Sequence, residues 1–288
     1  MNQPCSDATS IFKDNIFQDK VAIITGGGSG IGKATARSFV AKGGRAVIAA
    51  RHADRLEQAA REIGGDNRCL PFPVDIRDRA GVEALRDAAL QRFGHVDVLI
   101  NNGGGQFPAL FEEITPGGWH AVVDTNLNGT FNCLSVIGPL LVSQRQGKII
   151  NIVLNLHGRG APGVAHSGAA RAAVVDLTRT LALEWAPYGV TVNAVGVGRV
   201  LTEGARNEML GNETIIDRVR DSVPLGRWGR EDEVAALILF LASAAADYIT
   251  GADLIIDGGN RYGEGMIQMV ELLRNHASPQ AQGSQGEG

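Results

Sequence analysis

Short apolar runs alternate with longer amphipathic stretches along this chain, and the alternation predicts strands and helices in turn. Residues 21–24 (Val-Ala-Ile-Ile) read as a first strand and 34–40 as the helix after it. Further strands are expected at 45–50, 69–74, 96–100, 148–154, 190–195 and 254–256, with helices near 55–63, 80–93, 116–143, 166–185 and 235–242. So sustained an alternation predicts an α/β fold: a single doubly wound, Rossmann-type, mostly parallel seven-stranded sheet with helices on both faces. Pro71 and Pro73 each remove a backbone donor from the third strand, which places it near an edge and suits a three-two-one-four order.

The same pattern divides the chain. Residues 1–18 have no clear period and are treated as an N-terminal arm, although Ile11, Phe12, Ile16 and Phe17 can lie against the domain. Residues 19–262 form the single α/β domain. Within it, 199–228 is polar and helical in parts and follows a strand on the crevice side, where a substrate lid is expected. Residues 263–288 are a tail, and its end at 278–288, rich in Gly, Gln and Ser, is expected to be disordered.

Composition narrows the partners. A chain of 288 residues with 44% hydrophobic content can bury one full core. A formal net charge of −4 and a pI near 5.9 argue against a nucleic-acid or anionic-membrane surface. Cys5, Cys69 and Cys133 are odd in number and widely spaced, which supports neither a disulfide framework nor a metal site. Residues 1–19 carry charges and lack a signal-peptide core, and no window approaches the length of a membrane span. The expectation is a soluble, unprocessed cytoplasmic protein whose partners are small molecules and sister subunits.

Candidate chemistry starts at 25–33, Thr-Gly-Gly-Gly-Ser-Gly-Ile-Gly-Lys, between the first strand and its helix. Glycines let the backbone approach a diphosphate, and the free N–H groups of a helix N-terminus favour anions, so Gly26, Ser29, Gly30, Ile31 and Gly32 are assigned to cofactor binding. An acidic residue after the second strand would hydrogen-bond a free ribose 2′-hydroxyl and repel a phosphate there. Arg51 and His52 stand at that place, with Lys33 just inside the glycine loop, and cations there can neutralise a 2′-phosphate. NADPH is therefore favoured over NADH; in the alternative, Arg51 only projects into solvent. Asp75, followed by Ile76, is placed to reach an adenine amino group. Asn101, Asn102, Gly103, Gly104 and Gly105 follow the fourth strand and leave room for a ribose and a nicotinamide.

With the glycine loop, Asp75, the Asn101-Asn102-Gly103-Gly104 turn and Asn126 in this order, residues 19–261 resemble the short-chain dehydrogenase/reductase family. Segments 101–107, 118–122 and 166–171 look most like the peroxisomal trans-2-enoyl-CoA reductases, and slightly less like the 2,4-dienoyl-CoA reductases. The resemblance implies NADPH-dependent reduction of a carbon–carbon double bond conjugated to a thioester, as in fatty acid metabolism, with an acyl thioester as substrate. It also implies a homotetramer or homodimer, in which the helices near 116–143 and 166–185 pair across a two-fold axis; Val174, Leu177, Leu181 and Trp185 recur there at helical spacing.

The family's usual catalytic residues do not carry over. Ser167 takes the tyrosine position, Arg171 the lysine position four residues on, and Leu154 the serine position thirteen before. An aliphatic hydroxyl is far less acidic than a phenol, so carbonyl or alcohol chemistry by the usual route is not expected. Conjugate reduction needs only an oxyanion stabiliser and a proton for the α-carbon, and so tolerates the loss. The alternative is a redox-silent member acting as a binding protein or non-redox catalyst, to which the altered Val197-Gly198-Arg199 turn also points. Asn126, Asn155, His157, His166, Ser167 and Arg171 form the candidate catalytic set, with a histidine passing a proton and Arg171 holding the nicotinamide ribose as the lysine does elsewhere. Asn126 matches the family's helix-kink asparagine, Thr202 the threonine that contacts the cofactor, and Gly198 the glycine of the preceding turn. Arg159, Arg199 and Arg206 are candidates for the phosphates of coenzyme A.

Overall fold

The computed structural model describes residues 7–65, 67–155, 160, 162–208 and 213–263. His157, Arg159, Cys5 and the tail beyond 263 therefore lie outside the described residues. The apolar runs form seven strands: β1 (Val21–Thr25), β2 (Arg45–Ala50), β3 (Cys69–Pro73), β4 (Val98–Asn101), β5 (Gly147–Leu154), β6 (Val190–Val197) and β7 (Asp253–Ile256). They pair in parallel in the order β3-β2-β1-β4-β5-β6-β7, with Ile23 opposite Val47 and Leu99. β3 is an edge strand and pairs only with β2, as its two prolines require.

The helices are α1 (Gly30–Ala41), α2 (Ala53–Ile63), α3 (Arg79–Phe93), α4 (Pro116–Val123), α5 (Gly129–Gln144), α6 (Ala165–Trp185), α7 (Glu203–Glu208), α8 (Glu213–Asp221), α9 (Glu231–Ala242) and α10 (Asn260–Gly263). Successive strand residues point to opposite faces, so each strand feeds two cores. Ala22, Ile24 and Ile48 pack with Phe39 of α1, Leu56 of α2 and Ile238 of α9. Ile23, Val47 and Leu99 pack on the other face with Leu85 of α3 and Ile137 of α5. Each of the larger side chains contributes about 1.5–3 kcal/mol by leaving water, which fixes the sheet and hence the crevice at its carboxyl edge.

The structure differs from the periodicity in one element that matters. The helix expected at 116–143 is α4 and α5 joined through a π-helical turn, Asp124–Asn128. The wider turn leaves the hydrophobic spacing almost intact while shifting Asn126 inward, where it is fully buried. The arm from residue 7 is bound to the domain. Phe17 is buried and stacks on Phe39 with ring centroids 4.3 Å apart, and Ala8 N donates to Asp232 Oδ2 at 2.9 Å.

Val174 is buried, and Leu177, Leu181 and Trp185 are packed against the core. The apolar stripe on α6 is thus spent inside the subunit, and its outward face carries Asp176, Arg179, Thr180 and Leu183. Among the described residues no helix is long and apolar enough to cross a membrane, and no group of His, Cys, Asp or Glu is arranged to hold a metal ion.

Candidate functional site

After β1 the chain turns at Gly26 (φ +67°) and Gly30 (φ +54°), in the left-handed region that glycine enters without strain. A Cβ on Gly26 would sit 2.7 Å from Asn102 Nδ2, and one on Gly32 would collide with the Gly26 carbonyl. The loop is stapled to the one after β4: Thr25 Oγ1 accepts from Asn102 N at 3.0 Å and Gly103 N at 2.8 Å, and Asn102 Nδ2 donates to Thr25 O at 3.0 Å. Ser29 precedes α1 but makes no side-chain cap. The leading N–H groups at Gly30, Ile31 and Gly32 are therefore left for an anion, and a dinucleotide diphosphate fits this cradle. Thr202 faces it, its Cγ2 3.5 Å from where a Cβ on Gly30 would lie.

Beyond β2, Arg51 and His52 are exposed, and Arg51 has no hydrogen-bond or ion-pair partner among the described residues. Two neighbours depart from expectation. Lys33 is not directed to this place alone; its Nζ pairs with Glu62 Oε2 at 2.6 Å, because α1 and α2 lie side by side. Asp75 is not a free acceptor for adenine: the Arg77 guanidinium grips both carboxylate oxygens and holds the carboxyl below its usual range. Ile76 packs between Gly103 and Gly129, where a Cβ on Gly129 would sit 2.6 Å from its Cγ1.

The π turn brings three of the candidate catalytic residues together. Asn126 pairs with the Gly105 backbone through two 2.9 Å hydrogen bonds, one accepted by Oδ1 and one donated by Nδ2. Its Oδ1 also receives Arg171 Nη2 at 3.4 Å, and its Nδ2 donates to Ser167 Oγ at 3.3 Å. Arg171 Nη1 donates to the Ile152 carbonyl at 2.7 Å. Gly104 lies directly over this guanidinium, and a Cβ there would run into Nη2. These contacts engage Arg171 Nη1 with the sheet and Nη2 with Asn126, and leave Nε without a partner among the described residues. Burial alone pushes Arg171 down to about 10, so it stays a cation at neutral pH.

His166 is fully buried beside Ser167, with the Phe107 ring edge-on at 4.5 Å between centroids. Its Nδ1 accepts from Ser167 N at 2.7 Å, which puts the ring proton on Nε2, an atom without a hydrogen-bond partner among the described residues. Burial lowers its pKa, against the pull of the Phe107 and Val164 carbonyls. A neutral imidazole is a feeble acid, which weakens the proton-carrying role expected of it. The loop bearing Phe107 closes over the cluster and is fastened by Ala109 N donating to Gly163 O at 2.9 Å.

Asn155 does not join this group. Its Nδ2 donates to Asp257 Oδ2 at 2.9 Å and approaches Asn260 Oδ1 at 3.4 Å. Asp257 also accepts from Gly259 N and Arg261 N, both at 2.9 Å, and its carboxyl is held below its usual range. Asn260 continues to Ser222 at the end of α8, so this cluster ties the lid to the sheet. Gly198 belongs here too, since a Cβ on it would strike Asp257. Sequence reasoning passed over Asp257 and Asn260 as partners, because nothing local marks a bond between residues 102 positions apart.

Residues 26–261 match a family model described as Enoyl-(Acyl carrier protein) reductase. The chain is 39% identical over 246 residues to a probable 2,4-dienoyl-CoA reductase of Bacillus subtilis (strain 168), covering 84% of this chain and 97% of that protein. It is 39% identical over 252 residues to a peroxisomal 2,4-dienoyl-CoA reductase of Pongo abelii, covering 86% of each. Among solved structures, a short chain dehydrogenase from Bacillus anthracis str. 'Ames Ancestor' superposes with a TM-score of 0.77 at 39% identity, over 84% of this chain and 97% of that one. A citronellol catabolism dehydrogenase of Pseudomonas aeruginosa PAO1 superposes with a TM-score of 0.76 at 38% identity, over 88% and 99%.

Proposed function

The chain belongs to the short-chain dehydrogenase/reductase family, and from that footing we propose that it is a reductase of a carbon–carbon double bond conjugated to a thioester, with NADPH as reductant. One observation carries the proposal. Arg171 donates to Asn126, Asn126 donates to Ser167, and the Ser167 hydroxyl proton has no acceptor among the described residues. A relay that starts on a buried cation and ends on an unspent O–H suits an oxygen on which negative charge develops.

When bound, NADPH supplies the hydride, which adds to the far carbon of the conjugated system. The Gly26–Gly32 loop and Thr202 would hold its diphosphate, and Arg51 its 2′-phosphate. Ser167 stabilises the enolate oxygen through its O–H, and Asn126 and Arg171 polarise that hydroxyl without giving up a proton. Water then gives the α-carbon its proton and is left as hydroxide for the solvent to neutralise; a 2-enoyl thioester becomes the saturated thioester, and a 2,4-dienoyl thioester becomes the 3-enoyl thioester. Phe107 and its loop keep bulk water out until the loop lifts for the acyl chain. The relatives' printed names, 2,4-dienoyl-CoA reductases, support a dienoyl or enoyl thioester.

Exposed Phe131 on α5 and Leu183 on α6 support a homodimer or homotetramer. Cys69 and Cys133 are buried free thiols, in keeping with a cytoplasmic location.

The test follows NADPH absorbance with crotonyl-CoA, 2,4-hexadienoyl-CoA and acetoacetyl-CoA. Turnover of either conjugated thioester above the ketone is expected. Faster ketone reduction, or no turnover of any of the three with NADPH bound, would overturn the proposal.

A further inference from the structure

The first turn of α6 lacks the cap that a helix commonly receives. Its N-cap residue is Val164, whose side chain has no acceptor, so the N–H groups of Ala165, His166 and Ser167 get nothing from it; the helical ladder starts with Gly168 N donating to Val164 O at 2.9 Å. Ser167 N stands at the third helical position, where the oxygen of a Ser, Thr, Asp or Asn cap would accept. His166 Nδ1 accepts there instead, at 2.7 Å. The imidazole thus does from inside the helix what a capping side chain does from in front of it.

The residue so held is the one that the proposed reaction needs. Ser167 Oγ is buried and accepts from Asn126 Nδ2 at 3.3 Å, and the direction of this hydroxyl follows from the backbone of the turn that carries it. The imidazole has little room to swing. It is fully buried with Phe107 edge-on, and the tip of the Phe107 ring lies in turn against α4, where a Cβ on Gly118 would sit 2.9 Å from Cζ. The elements around this end of α6 carry Glu112 and Glu113 beyond Phe107, His120 of α4, Asp124 of the π turn and Arg171 of α6 itself. None of these charges governs the ring: burial lowers its pKa, against the Phe107 and Val164 carbonyls.

We propose that His166 is a positioning residue: a lone pair of its neutral ring caps the Ser167 N–H and so aims the Ser167 hydroxyl at the substrate oxygen, and a proton on that nitrogen ends the hold. The inference rests on the reading that Ser167 donates to an enolate oxygen, and it gives that reading an acid limit. The ring keeps its proton on Nε2 throughout and passes none to the substrate, so its task differs from the proton carrier expected beside Ser167. Once protonated, Nδ1 becomes a donor facing the donor Ser167 N–H, and the turn has to shift.

The experiment joins steady-state kinetics with NADPH on crotonyl-CoA and 2,4-hexadienoyl-CoA, thermal melts, and nitrogen-15 NMR of histidine-labelled protein. The proteins are the unmutated chain, His166→Phe, His166→Asn, Ser167→Ala and the double variant His166→Phe/Ser167→Ala. His166→Phe keeps an aromatic ring against Phe107 but has no lone pair to offer; kcat is expected to fall about tenfold at neutral pH, the usual worth of one directing hydrogen bond, with the melting temperature little changed. His166→Asn sets an amide oxygen where Nδ1 stood and leaves space beside Phe107, so it should melt lower yet restore most of kcat. A purely structural role predicts the reverse, with kcat following the melting temperature. The unmutated protein should lose kcat below about pH 6.5, and neither single variant of His166 should share that limb. The double variant should match Ser167→Ala, because His166 acts only through Ser167. In the NMR spectra, the histidine missing from His166→Phe should show a bare Nδ1 and a protonated Nε2. Unchanged kcat in His166→Phe, folded His166→Asn with kcat as low as that of His166→Phe, additive losses in the double variant, or a proton on Nδ1 at neutral pH overturns this proposal and leaves the reductase reading standing. If His166→Asn fails to fold, the phenylalanine variant and the tautomer decide. No turnover of either thioester by the unmutated protein overturns the reductase reading, and this proposal with it.

Discussion

Asn126 Nδ2 lies 3.3 Å from Ser167 Oγ and donates to it, so the serine is left with a hydroxyl proton and no competing use for it among the described residues. A phenol at this place would exchange protons with a substrate; the aliphatic hydroxyl can only donate a hydrogen bond. Ser167→Ala is therefore expected to lower kcat on a conjugated thioester by about 10²-fold, as loss of one oxyanion donor does, with KM little changed. Steady-state kinetics of the variant test this, and a wild-type rate would show that the relay does not reach the substrate.

Arg171 is the charge behind that relay. Among the described residues its guanidinium has no carboxylate bonded to it, and burial alone lowers its pKa to about 10. Its charge is constant from pH 6 to about 9, so kcat should show no basic limb from this group in that range. Above about pH 10 the unfolded chain holds the proton more firmly than the native one, so the group adds stability as pH rises past its folded pKa and is a constant burden below it. Arg171→Lys should bring a basic limb down into the measured range, since a buried ammonium loses its proton more readily. Arg171→Met should leave thermal stability equal or higher while kcat falls, because a buried charge is replaced by an apolar chain.

His166 carries a second pH signature. Its folded pKa lies below the usual histidine value of about 6.5, chiefly through burial, so the unfolded chain takes up the proton first as pH falls. Its stabilising contribution is complete above about pH 6.5 and is lost as pH drops toward the folded pKa. Urea melts at pH 5 and pH 7 should show a smaller loss on the acid side in His166→Phe than in the unmutated protein. An unchanged difference between the two pH values would mean that another group governs the acid limb.

Arg51 is exposed just after β2, with no hydrogen-bond or ion-pair partner among the described residues. Arg51→Asp should reverse the preference for NADPH over NADH, with a change of roughly ten- to a hundredfold in relative affinity. Titration of both dinucleotides into the two proteins measures it directly; equal affinity of the unmutated protein for the two would sink the assignment.

One edge of the sheet, the seven strands and the bounds of the helices at 30–41, 53–63, 79–93, 165–185 and 231–242 were largely legible because they follow from local periodicity, which a chain must keep if it is to bury one face of each element. Pro71 and Pro73 marked the edge strand for the same reason, since a missing donor is a property of the residue itself. The glycine loop was legible too: positive φ at Gly26 and Gly30 demands that residue type in place. Asp75 was less well read, although its partner Arg77 is only two residues away, because an acceptor that looks open in sequence can be closed by a neighbour's rotamer.

Sequence by itself therefore determined the fold, the place of the cofactor loop and the absence of a phenol at Ser167. Only the tertiary structure decided which groups share a site. It turned Arg171 to the Ile152 carbonyl, gave Lys33 to Glu62 and drew Asn155 away to Asp257. The π turn that seats Asn126 against Ser167 left almost no trace in the hydrophobic pattern. The physical reason is range: backbone geometry and burial repeat every few residues along a chain, whereas hydrogen bonds between polar side chains on different elements exist only once the core has fixed how those elements lie together.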